Sequence, residues 1–87
     1  MMNYYEKQIA EVLIKMLLEG DDCEGRTVMI GSRNYFIRPA NRNVDLVMTW
    51  ETNDDDIPDG YIMVGNWKEN WVKTLELFAA AIQCDIG

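Results

Sequence analysis

With 87 residues, 48% of them hydrophobic, a net charge of −7 and no histidine, the chain has material for one core and too little for two. Its charge opposes non-specific binding to nucleic acid or an anionic membrane, which requires basic surface, and its apolar content is that of a globular chain rather than a disordered one. No apolar run approaches the roughly 20 residues that span a bilayer, and the first residues lack the basic region and apolar core of a signal peptide, so the expected setting is cytoplasmic.

The first predicted element is a helix. Asn3 and Glu6 form a cap pattern, and Tyr5, Ile9, Val12, Leu13 and Met16 follow at helical spacing. Ala10, Ile14, Leu17 and Leu18 widen the apolar arc beyond what a helix resting on one sheet requires. Gly20 ends the helix. The arc predicts contact with the other helix or with a second molecule, and homodimerisation at micromolar concentration is expected from it.

Thr27–Ile30 and Asn34–Arg38 flank Gly31-Ser32-Arg33 and read as a hairpin. Pro39-Ala40-Asn41-Arg42-Asn43 is expected to break the second strand. Val44–Trp50 alternates, with Val44, Leu46, Met48 and Trp50 on one face. Glu51 to Gly60 gathers five acids among turn formers and reads as a solvated loop. Tyr61–Val64 is a short apolar strand. Asn66 and Glu69 repeat the cap pattern and are expected to open the last helix, which places Trp67, Trp71, Leu75, Phe78, Ala79 and Ile82 on one face, with Val72 beside it. Leu77 lies about 200° from Leu75 and is expected to be exposed.

The elements give an α+β single domain over residues 1–87 in the order α-β-β-β-β-α. Short connections predict an antiparallel sheet of three to four strands, with the two helices packed on one face. Trp50, Trp71 and Phe78 are the expected core, together with Ile9, Leu13, Leu46 and Met48.

Catalytic groups are scarce. No histidine is present to act as a base near neutrality, and the only serine, Ser32, belongs to a turn. Cys23 lies among Asp21, Asp22 and Glu24, and Cys84 lies near the end of the last helix; both settings disfavour a thiolate. The two cysteines are expected to remain ordinary thiols, since neither a zinc spacing nor a redox motif is present. Counted from Asp54, the calcium-loop pattern fails at Pro58 and Gly65. Gly31-Ser32-Arg33 has no phosphate-loop spacing. The expectation is a non-enzymatic protein with no cofactor and no metal, a small enzyme being the third-ranked reading.

Charge is segregated along the chain. Glu19, Asp21, Asp22 and Glu24 form one acidic group; Glu51, Asp54, Asp55, Asp56 and Asp59, with Ile57 among them, form another. Residues 26–42 carry four arginines and no acid, of which Arg33, Arg38 and Arg42 are the candidate basic surface. Acidic loops around an aliphatic anchor suit a basic protein partner, because complementary charge speeds encounter while the anchor supplies affinity.

In size, charge and missing catalytic groups the chain resembles phage-encoded inhibitors of nucleases, including anti-CRISPR and DNA-mimic anti-restriction proteins, and small bacterial immunity proteins. Asp54–Gly60 is similar to an acidic loop of the colicin-type immunity proteins, which are all-helical and lack the strands read here. The resemblance implies an inhibitor of a basic, nucleic-acid-handling protein, with no direct contact to nucleic acid or membrane. The alternative is a self-associating assembly subunit that uses the apolar arc of the first helix.

Overall fold

The computed structural model describes residues 2–20, 23–50 and 60–86. Two helices, α1 (Tyr4–Glu19) and α2 (Trp71–Ile86), enclose four strands in chain order: β1 (Arg26–Ile30), β2 (Arg33–Ala40), β3 (Asp45–Trp50) and β4 (Gly60–Val64). The strands form one antiparallel sheet in the order β1-β2-β3-β4.

Helix α1 starts where its cap pattern places it. The Asn3 side chain accepts from the Glu6 N–H (2.8 Å) and the Glu6 carboxylate accepts from the Asn3 N–H (3.1 Å), so two of the orphan donors at the helix start are satisfied reciprocally. The first hairpin turns through Gly31-Ser32, with Ile30 paired to Arg33. Gly31 has φ 64°, the positive first position of a two-residue turn, where glycine carries no Cβ penalty.

Pairing registers sort the strand residues onto two faces. Val28, Ile30, Tyr35, Ile37, Leu46, Met48 and Val64 point toward the helices and are buried against Ile9, Leu13 and Met16 of α1 and Leu75, Phe78 and Ile82 of α2. The opposite face carries Thr27, Met29, Phe36, Arg38, Asp45, Val47, Thr49, Tyr61 and Met63, and no described element packs over it. Both helices therefore lie on one side.

Five expectations are corrected. Strand β2 runs on through Pro39 and Ala40, which pair with Leu46 and Asp45; Pro39 stands beyond the last β1 pairing, Arg26 with Ile37, so its missing N–H costs no bond on that side. Val44 is exposed in the turn rather than on the strand's core face. Asn66 does not cap α2: it has φ 51°, its C=O accepts from the Glu69 and Asn70 N–H groups, and the helix begins only at Trp71. Trp71 is accordingly a first-turn residue, 47% exposed, and Trp67 takes the core position with no exposure at all. Trp50 is half-buried, its indole lying across Gly60, where an added Cβ would meet ring carbons at 2.5 Å.

Asn43 holds the far end of the molecule together. It is buried in a turn in which Asn41, Arg42 and Asn43 all have positive φ, 50°, 56° and 65°, a region asparagine tolerates better than most residues. Its side-chain amide donates to the Gly20 C=O (2.9 Å), while its backbone and side-chain oxygens accept from the Trp67 indole N–H at 3.2 and 3.1 Å. The Trp67 backbone N–H donates to Val44 C=O (3.0 Å). One residue thus joins the end of α1, the β2–β3 turn and the approach to α2. Asn43→Ala removes the amide, one of the two indole acceptors and the residue type suited to the backbone; a loss of about 2–3 kcal/mol is expected in chemical denaturation, with Asn43→Asp recovering the indole acceptor but not the bond to Gly20.

Candidate functional site

The charged residues singled out from the sequence occupy several places. Asp21, Asp22, Asp54, Asp55, Asp56, Ile57 and Asp59 lie outside the described residues. Glu24 is exposed just before β1. The three arginines of the candidate basic surface are not brought together. Arg33 faces the helix layer, Arg38 is exposed on the open sheet face, and Arg42 is exposed in the β2–β3 turn at the other end of the strands from Arg33. Arg26 pairs with Glu19 at the end of α1.

Arg33 is part of an internal lock. Its Nε and Nη2 donate to the two Asp85 carboxylate oxygens at 3.1 and 3.0 Å, and the Tyr35 hydroxyl donates to the same carboxylate at 2.6 Å. This two-pronged arrangement is the strong form of an arginine–carboxylate pair, and it ties the last turn of α2 to the first residues of β2. Burial, then the adjoining carboxylate, push the Tyr35 phenol from 10.0 up to about 12. A phenol held protonated so firmly is a poor base at neutral pH, and the cluster reads as structural.

Of the concave surfaces among the described residues, the one with the most apolar side chains lies between α1 and α2. Ala10 and Ile14 from α1, Trp71, Val72 and Leu75 from α2, and Met2 line a groove of about 580 Å³, and Glu6 and Glu76 stand on its walls. Its origin is visible in the helices. Ala10 packs against the core at the margin of the α1 arc while Ile14 beside it is exposed, and the late start of α2 leaves Trp71 and Val72 exposed in its first turn. Leu17 and Leu18 extend the exposed apolar surface of α1, Leu18 being 82% exposed. A groove with an apolar floor and carboxylates at its sides accepts an amphipathic segment bearing cations, since the floor rewards buried aliphatic area and the walls orient the charges.

The excess width of the α1 arc was the sequence signal for this surface. Its second wall carried no comparable signal, because the cap pattern at Asn66 assigns Trp71 to the core. Leu77, expected to be exposed, is so. Among the described residues no group of three or more histidine, cysteine or acidic side chains is placed to hold a metal ion, Cys23 and Cys84 are free thiols, buried and exposed respectively, and no helix is long and apolar enough to cross a membrane. The chain matches no protein-family model, and comparison with curated proteins and with solved structures finds no significant match.

Proposed function

We propose that the protein is a non-enzymatic binding module for a partner protein with a basic surface, the best specific reading being an inhibitor of a nucleic-acid-handling protein. The observation that supports it is the acid-walled apolar groove between α1 and α2, on a chain of net charge −7. The groove supplies an anchor, and the acidic surface supplies attraction at a distance. The carboxylates at positions 54–56 add to that attraction by their charge alone.

The two contributions separate in kinetics. Ile14→Glu with Val72→Glu introduces charge into the groove floor at exposed positions and should raise the dissociation rate at least tenfold. Asp54→Asn, Asp55→Asn and Asp56→Asn together should instead slow association, by an amount that shrinks as salt rises, because solvated charges steer encounters and are screened. Affinity capture from the native cell, followed by binding kinetics on the captured protein, reads both. A captured partner that binds both variants as it binds the parent chain refutes the proposal, as does a partner whose contact surface is acidic.

A further inference from the structure

The face of the sheet turned away from the helices has a composition unlike the rest of the molecule. Phe36 and Val47 on the central strands, with Tyr61 and Met63 on β4, make a continuous apolar surface in which Tyr61 is 72% and Met63 55% exposed. The registers place them side by side: Phe36 and Tyr61 flank Thr49, and Met63 adjoins Val47, which adjoins Arg38. A solvated antiparallel face ordinarily alternates to polar residues, and surface of this kind marks an interaction site. Asp45 is the one acid that the described strand residues place on this face. The other acids among the described residues, Glu6, Glu11, Glu19, Glu24, Glu69, Glu76 and Asp85, lie outside the strands.

We infer that this face is a self-association surface, and that its occupant is the same face of a second copy. Two copies of so acidic a protein repel one another in most orientations, and the strand residues of the open face set one arginine against their one acid. It is also self-complementary. Arg38 and Asp45 stand on adjacent strands, since Arg38 pairs with Val47 and Ala40 with Asp45. A two-fold axis passing between them brings each arginine onto the other copy's aspartate, as an isologous interface requires. The product is a two-sheet sandwich about 10 Å between layers, with the helices outward on both sides. Four strands about 4.8 Å apart and some five residues long make a contact at the small end of specific interfaces, so a dissociation constant of about 10 µM or weaker is expected.

This interface is independent of the groove, and its presence would double the groove. Each dimer would present two acid-walled grooves on opposite sides, so a partner with repeated basic segments would be held by both at once.

Sedimentation of the full chain from low micromolar to millimolar concentration tests the inference. The mass should rise from 10.1 kDa to twice that value. Tyr61→Glu with Met63→Glu, both at exposed positions, should weaken dimerisation at least tenfold while the circular dichroism and melting temperature stay those of the parent. Arg38→Asp and Asp45→Arg should each weaken it, and the two together should restore it. Leu18→Glu on α1 should leave it unchanged. A parent chain that stays monomeric throughout, a dimer that survives the Tyr61 and Met63 changes, a charge swap that restores nothing, or dissociation by Leu18→Glu would each overturn the assignment. So would a shift in mass that appears only when a single-stranded oligonucleotide is added.

Discussion

Trp67→Ala is expected to cost about 3–5 kcal/mol, the range for removing a large buried aromatic side chain, and so to leave the protein largely unfolded at ambient temperature. Total stability near 5 kcal/mol is typical at the lower end for small domains. Trp67 is wholly buried, it precedes α2 rather than lying within it, and its indole N–H is bonded to Asn43. Its removal therefore opens a cavity and leaves buried oxygens unpaired in the same step. Trp71→Ala should cost less than about 1 kcal/mol in the same urea titration, because nearly half of Trp71 is in solvent. Similar losses for the two variants would show that the last helix is entered as its cap pattern implies and not through the left-handed turn at Asn66.

The second large effect is expected at Asp85. Asp85→Ala removes the acceptor of two Arg33 hydrogen bonds and of the Tyr35 hydroxyl, and a loss of about 2–3 kcal/mol is expected for a charged, mostly buried acceptor of this kind. The pH dependence identifies the tyrosine's share. The folded protein holds the Tyr35 phenol protonated up to about 12, against an ordinary value of 10.0. The folded state therefore binds more protons than the unfolded chain between those values, and stability falls as pH rises through them. The contribution is complete below pH 10 and is gone once the folded phenol itself ionises. Tyr35→Phe should be less stable than the parent at pH 7, and melting curves taken from pH 9 to 12 should show that gap narrowing. A gap that stays constant across the range would remove Tyr35 from the lock.

The order and pairing of elements were legible because each depends on local chemistry. The Asn3–Glu6 cap, the alternation of Leu46, Met48 and Trp50, and the Gly31-Ser32 turn all act over a few residues. The start of the last helix was not legible, since Asn66-Trp67-Lys68-Glu69 satisfies the spacing of a cap while the backbone at Asn66 turns left-handed. Trp67 decides that competition: burying an indole against Asn43 outweighs a cap bond worth about 1 kcal/mol. Pro39 misled for a related reason. Its effect on a strand depends on whether a neighbour needs its N–H, and that is fixed by where β1 ends. The placement of both helices on one face was expected from the element order, but which strand residues line the open face depends on the pairing registers, and the groove depends on how the two helices meet. Registers and helix contacts are not written in a local pattern.

The strict neighbour-to-neighbour order of the sheet has a kinetic consequence. Every strand pairs with the strand next to it in the chain, so the sheet can assemble hairpin by hairpin, with only short loops closed at each step. The exception is the contact of α1 with α2, which brings together the two elements furthest apart in sequence. That docking closes the longest loop in the molecule and seals Ile9, Leu13, Phe78 and Ile82 in one event. Contact order therefore predicts that mutations at the α1–α2 contact, such as Ile9→Ala, slow folding more than equally destabilising changes in the first hairpin, as stopped-flow refolding would read.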